Sequence, residues 1–353
     1  MAHAVKTEPA ERGFYLSREP VRSAPVTEGR RSVIGALACV LLTSRFAVLA
    51  HMPSRLIRIG WLTTVPFLGT PLHSLFSEAM RERGWIEGRH FVIESRYSGG
   101  RNELLPALAA ELVRLDPDII VSGGSPTTTA AMNATTRIPL LFFNVGDPVG
   151  SGFAASLARP GGNLTGFGGL GTVLHLKQLE LLQEIEPRPT RVAMFVNPAF
   201  SFHVTTRTEI EAFARQQGVV MRPIEVRSPD DLDAAFDSVA RERIDALLIL
   251  GQPFYLQEAA RVARLATLHR LPCVGPFEDL VKAGCLMSYA GRLTDDVKRL
   301  PSLIERIVNG TNPADIPVEQ GTRFYLMVNL KTAKAIGVLI PPSLLLRVDS
   351  LIE

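Results

Sequence analysis

Asp118-Ile-Ile-Val-Ser-Gly-Gly-Ser125-Pro126 and Asp245-Ala-Leu-Leu-Ile-Leu-Gly251-Gln252-Pro253 decide the fold, because they are the same phrase written twice. Each runs from an acidic residue through an apolar run of strand length to glycine, a polar side chain and a proline suited to opening a helix. The surroundings repeat as well. Ahead of the first lie an apolar run (Ile57 to Leu62), a helical stretch ending at Arg83-Gly84, a second strand (Phe91 to Tyr97) and a helix (Leu104 to Leu115). Ahead of the second lie Arg191 to Val196, a helical stretch ending at Gln217-Gly218, Met221 to Val226 and a helix from Leu232 to Arg241. After them, Arg137-Ile138-Pro139 with its apolar run answers Arg270-Leu271-Pro272.

Nearly continuous apolar strands alternating with amphipathic helices are the pattern of parallel sheets covered on both faces. The predicted class is therefore α/β, with two βαβ lobes joined by a multi-strand hinge and a cleft between them. A length of 353 residues also exceeds what one core usually serves. The expected division gives lobe 1 residues 55–163 with about 290–320, and lobe 2 residues 165–289 with about 321–353. Gly284 to Tyr289 reads as a strand. Thr294 to Asn309 reads as a helix with Leu300, Leu303, Ile304, Ile307 and Val308 on one face.

Residues 1–52 differ from the rest. The stretch up to Gly29 is polar and aperiodic, as in a disordered extension. Arg30-Arg31, the apolar run Val33 to Leu42 and Val48-Leu49-Ala50 then follow the three regions of a secretory signal, so export is expected. Of the three cysteines, Cys39 falls in this leader. Cys273 and Cys285 read as small buried residues, with a disulfide between them left open for an oxidising compartment.

A net charge of +3 with 21% charged residues, scattered rather than striped, gives no nucleic-acid footprint. The glycine-dense stretch from Arg159 to Gly171 lacks GxGxxG spacing after a clear strand, so it reads as a crossover between lobes and no cofactor is expected. No nucleophile elbow, zinc motif or Walker loop occurs, and no histidine sits at triad or metal spacing. An enzyme is not expected. The histidines, including His175 and His203 at helix starts, read as exposed or capping.

In open parallel sheets ligands sit outside the carboxyl ends of the strands. The loops there offer Thr63 and Thr64, Ser125 and Thr127, and Asp147 from the first copy. The second copy offers Asn197 and Phe200, Gln252 and Phe254, and Glu278. Each has a plainer reading: Ser125 as a helix-start residue, Asp147 as a turn former, the aromatics as core, Glu278 as first-turn charge.

The strings Asp147-Pro148-Val149-Gly150, Pro160-Gly161-Gly162-Asn163-Leu164-Thr165-Gly166 and Asn329-Leu330-Lys331-Thr332-Ala333-Lys334-Ala335-Ile336-Gly337 resemble the ABC transporter substrate-binding protein family related to tryptophan and tyrosine uptake. That resemblance implies a type I periplasmic-binding-protein fold of two Rossmann-like lobes and a monomer that closes on a small solute, an amino acid or related carboxylate. It also implies delivery to separate permease and ATPase subunits. By position it carries ligand contact to Thr63 or Thr64, Ser125 with Thr127, Asp147, Asn197, Gln252 and Glu278. Two other classes share the architecture: an effector-sensing module of a regulator, and a two-lobed α/β enzyme. The first predicts an attached helix-turn-helix or signalling segment, the second a nucleophile and base facing each other across the cleft, and the sequence offers neither.

Overall fold

The two copies build two sheets with the same strand order. A computed structural model describes residues 55–353; the leader reading and Cys39 fall outside them. In the first copy β1 (Ile57–Thr63), β2 (Phe91–Tyr97), β3 (Ile119–Gly123) and β4 (Leu140–Val145) alternate with α1 (Pro71–Glu82), α2 (Leu105–Arg114) and α3 (Ser125–Ala134). β5 (Leu164–Gly168) completes an all-parallel sheet of order β2-β1-β3-β4-β5. In the second copy α4 (Gly171–Leu182) precedes β6 (Arg191–Val196), α5 (Ser201–Gln216), β7 (Val220–Glu225), α6 (Leu232–Arg241) and β8 (Ala246–Ile249). The short α7 (Phe254–Gln257), α8 (Ala259–Leu268), β9 (Cys273–Gly275), α9 (Glu278–Ala283) and β10 (Met287–Ala290) follow.

The order β7-β6-β8-β9 repeats β2-β1-β3-β4, and the two aspartates of the repeated phrase do the same work in each copy. Asp118 accepts the backbone N–H of Arg58 at the start of β1, and Asp245 accepts those of Thr190 and Arg191 at the start of β6, each at 2.8–2.9 Å. Burial alone would raise the Asp245 carboxyl, but the bonds from Thr190 and Arg191 outweigh it and hold the pKa below the ordinary value.

The chain crosses between the sheets at three places. From β5 it enters α4, whose Leu179, Leu181 and Leu182 pack with Val192 and Met194 of the second sheet. From β10 it returns into α10 (Leu293–Val308), whose Val297, Leu300, Leu303, Ile304 and Ile307 pack with Ile57, Ile59 and Trp61 of the first sheet. After Glu319 it crosses again to β11 (Tyr325–Asn329), α11 (Leu330–Ile336), α12 (Pro342–Leu345) and β12 (Ser350–Ile352). These extend the second sheet to seven strands, with β11 antiparallel to β10, the exception to an otherwise parallel sheet. The expected strand at Gly284 is shorter than predicted: Gly284 caps α9 at φ +124° and β10 begins only at Met287.

The crossings are held closely. Gly168 N–H donates to the Glu319 carbonyl and Glu319 N–H to that of Gly166, at 3.0 and 2.9 Å. A Cβ on Gly166 would stand 2.0 Å from the carbonyl oxygen of Phe142, an atom that cannot rotate away. Gly166→Ala is therefore expected to cost about 3 kcal/mol through overpacking, read as a lower urea midpoint. At the second crossing Gly291→Ala, whose Cβ meets nothing closer than 3.8 Å, should change the midpoint by less than a third of that.

Candidate functional site

A cavity of about 190 Å³ opens at the carboxyl ends of the strands, walled by both sheets. Thr64 after β1 and Gly100, Asn102 and Glu103 after β2 form one wall. Phe200 after β6, Arg227, Ser228 and Pro229 after β7, and Gln252, Pro253 and Phe254 after β8 form the other. Parallel strand polarity brings them together, since every strand of the first sheet and β6 to β9 of the second point their carbonyl ends this way. A second depression of about 200 Å³, beside Arg55, Ile57 and Asp118, lies at the opposite ends, where strands begin. It holds none of the loops where helices start.

Of the ten side chains singled out in the sequence, Thr64, Phe200, Gln252 and Phe254 line the cavity. Thr64 is 4% exposed and its hydroxyl has no hydrogen bond among the described residues. Gln252 is buried and spoken for on its inner side: its amide donates to the Val226 carbonyl at 2.9 Å and its oxygen accepts from Asn197 Nδ2 at 2.8 Å. Asn197 is also buried. Its Nδ2 reaches the Arg227 carbonyl and its Oδ1 accepts from Ala199 N–H, so it ties the ends of β6, β7 and β8 together behind the cavity.

The remaining five stand elsewhere. Thr63 donates to the Val65 carbonyl, and Thr127, fully buried, turns back to the Gly124 carbonyl at 2.8 Å. Ser125 opens α3 directly after Gly124. Asp147 accepts Gly150 N–H at 2.8 Å and closes its own turn. Glu278 pairs with Arg292 at 2.6 Å and Lys282 at 3.4 Å, while the Arg292 guanidinium lies 3.8 Å over the Tyr325 ring.

Sequence reading missed Asn102, Glu103 and Arg227. The signal was available in the repeat, because Gly100-Arg-Asn-Glu103 and Arg227-Ser-Pro-Asp230 occupy equivalent places after the second strand of each copy. Arg227 directs Nε and Nη2 to Glu225, at 3.2 and 2.8 Å. Glu103 has no ion pair among the described residues. The walls thus carry opposite charges beside an aromatic surface.

Deeper in, Phe202 of α5 presses on Gly146 and Gly171, where a Cβ would stand 2.7 and 2.4 Å from its Cζ. Gly171 N–H donates to the Gly146 carbonyl at 3.0 Å. Here the expectation of exposed or capping histidines fails for two of them. His175 and His203 are buried, packed at the Phe202 ring, with centroids 6.0 and 5.9 Å away. His203 Nδ1 accepts Asn197 N–H at 3.0 Å, which leaves Nε2 to donate to the Gly251 carbonyl at 3.2 Å. Both are held neutral with the pKa lowered to about 4. Burial is the main cause for each, and the neighbouring His175 adds to it for His203. A helix-start position says nothing about the tertiary neighbour, so sequence spacing could not show this.

Residues 73–352 match the ABC transporter substrate binding protein family. The chain belongs to that family. Among its relatives is a tyrosine-binding protein of Clostridioides difficile, 22% identical over 264 residues, covering 74% of this chain and 75% of that protein. The fold is also that of an ABC domain from Streptococcus pneumoniae solved in complex with L-Trp, with TM-score 0.77 and 22% identity over 84% of this chain and all of that one. A ligand-free, open substrate-binding protein with adhesive properties from Clostridium difficile matches with TM-score 0.61 and 21% identity, over 84% of this chain and 99% of that chain. The substrate-binding protein thus has the two-lobed, type I periplasmic-binding-protein architecture expected from its sequence. Among the described residues no helix is long and apolar enough to cross a membrane, and no group of three His, Cys, Asp or Glu side chains could hold a metal.

Two outcomes follow for the substrate-binding protein without ligand. Gln252→Ala strips donors or acceptors from Val226 and Asn197, and should lower unfolding free energy by about 2 kcal/mol, read in urea. For pH, the histidines are depressed in the folded state, so between about 6.5 and 4 the unfolded chain binds protons that the folded chain does not. Stability should fall through that window as pH drops, by at most about 1.4 kcal/mol per pH unit for each histidine. Asp296 opposes this: burial, opposed by Arg299 and reinforced by Asp295, raises its pKa to about 6, and protonating it favours the folded state below that pH. Urea midpoints at pH 7 and pH 5 should therefore fall for the parent. Replacing His175 and His203 by Gln together should remove or reverse the slope.

Proposed function

We propose that this chain is the exported solute-binding subunit of an ABC importer. It takes an amino acid or related carboxylate between its lobes and delivers it to separate permease and ATPase subunits. The observation that carries the reading is the two-walled cavity, small and charged oppositely on its two sides. Arg227 receives the solute carboxylate, Glu103 the ammonium, Thr64 and Asn102 further polar atoms, and Phe200 with Phe254 cover the side chain. A cavity of about 190 Å³ is below the range usual for drug-sized ligands, which limits the occupant to one small solute. The tyrosine-binding relative and the L-Trp complex of a similar fold support an amino acid, aromatic ones included.

Residues 55–163 with about 290–320 move as one lobe, and 165–289 with about 321–353 as the other. A solute touching both walls favours the state in which they meet, which the permease then recognises. Gly100 and Gln257 already approach across the mouth, since a Cβ on Gly100 would lie 3.6 Å from Gln257 Oε1. Residues 1–52 act as the export leader.

The test is a thermal-shift screen of residues 53–353 against amino acids, nucleosides, sugars and small carboxylates, followed by calorimetry of the hit. Native-state binding adds about 4 kcal/mol at a thousandfold excess over Kd. An amino acid should raise Tm. Arg227→Ala should weaken it at least tenfold while leaving the decarboxylated amine unaffected, and Glu103→Gln should do the converse. A screen answered only by sugars or nucleosides, or an amino acid whose affinity ignores both substitutions, sinks this assignment.

A further inference from the structure

Two thiols are buried together in the second lobe. Cys273 opens β9 and Cys285 stands two residues before β10, and the two strands are parallel neighbours. Both are 1% exposed, both belong to the same apolar cluster with Leu280 and Ala263, and both are free thiols in the structure. They are the two cysteines of the described residues.

Their placement fits a bridge. Val274 pairs with Met287, so Cys273 lies one residue before that rung and Cys285 two residues before it. Were the parallel spacing carried back past the bend at Leu286, strands about 4.8 Å apart and offset by one step of about 3.3 Å would put the α-carbons about 6 Å apart, inside the range a disulfide spans. The side chains turn to the same face, since both enter one cluster while Val274 and Met287 of the rung enter the cluster on the other side of the sheet. The neighbouring Cys273, together with burial, pushes the Cys285 thiol well up.

We propose that Cys273 and Cys285 form a disulfide when the chain folds in an oxidising compartment. One S–S bond forms, and the two thiols give up two protons and two electrons to an exogenous disulfide, which leaves as two thiols. The step precedes burial, because a raised pKa and 1% exposure close the folded thiols to attack. The bridge would pin β10, the strand from which the chain returns to the first lobe, to the centre of the second sheet. Pairing itself depends only on geometry, so it is testable apart from export.

The full chain is unfolded, reduced, and refolded with oxidised and reduced glutathione, and its remaining thiols are alkylated in denaturant before trypsin. Arg270, Lys282 and Arg292 place the two cysteines on separate peptides, 271–282 and 283–292. Expected is one linked species, two hydrogens lighter than the sum of the peptides, that separates on reduction. Tm should then fall by roughly 5 °C on reduction, with no such shift in the Cys273→Ala/Cys285→Ala variant. Alkylation of both peptides without reduction, glutathione adducts on either, or linkage to Cys39 overturns the proposal. The unreduced mass map decides this even where the variant folds poorly. Solute binding can fail in its own screen without touching this result.

Discussion

Each sheet of this protein is closed by a helix that belongs, in chain order, to the other. α4 leaves the first sheet and buries Leu179, Leu181 and Leu182 in the core of the second; α10 leaves the second and buries Val297, Leu300, Leu303, Ile304 and Ile307 in the core of the first. At about 1.5–3 kcal/mol per large apolar side chain, detaching α10 alone would cost on the order of 10 kcal/mol. Across the cleft mouth the walls meet through polar and glycine surfaces. The closure proposed above would therefore bend the chain at the three crossings, with the exchanged helices staying where they are.

That exchange explains why the crossings are so tightly made. Gly166 and Gly168 let backbone lie directly against the Phe142 and Val145 carbonyls, and Glu319 N–H and C=O clasp the same stretch from the third crossing. Phe202 does the equivalent on the cleft side, filling the space that Gly146 and Gly171 leave empty. Room for backbone at Gly166 and Gly168, room for a ring at Gly171, and left-handed backbone at Gly161, Gly162 and Gly169 together explain why this segment is so rich in glycine. No phosphate needs to be invoked.

The architecture was legible because the chain states it twice. Asp118 and Asp245 begin matching apolar runs, and the structure gives both the same task at the same rung. The tail was not legible in detail, because β11 and β12 have no counterpart in the first copy and an antiparallel strand reads like a parallel one. The site was legible as a set of loops but not as a set of contacts. Asn197 and Gln252 carry the side chains expected of ligand contacts, yet each satisfies the other, and only the folded rung of β6 and β8 brings them within 2.8 Å. Glu103 and Arg227 follow the outermost strands, where the apolar signal is weakest and a charged loop looks like ordinary surface.

Which charged groups remain available to a solute depends on what they would give up. Glu278 lies in an embedded chain with Arg292, whose guanidinium rests on Tyr325, whose hydroxyl in turn donates to Asp295. Drawing Glu278 away would unpair a half-buried arginine and undo a cation–π contact, a cost of the order of 1–3 kcal/mol. Arg227 gives up far less. Its partner Glu225 sits beside it on a surface where the two side chains are 65% and 56% exposed, and such a pair is worth between about 0 and 1 kcal/mol. On the proposed reading, a carboxylate entering the cavity would therefore replace Glu225 at almost no loss. The exposed Arg227 is thus, on that reading, freer to take up a solute charge than Glu278, which the sequence singled out.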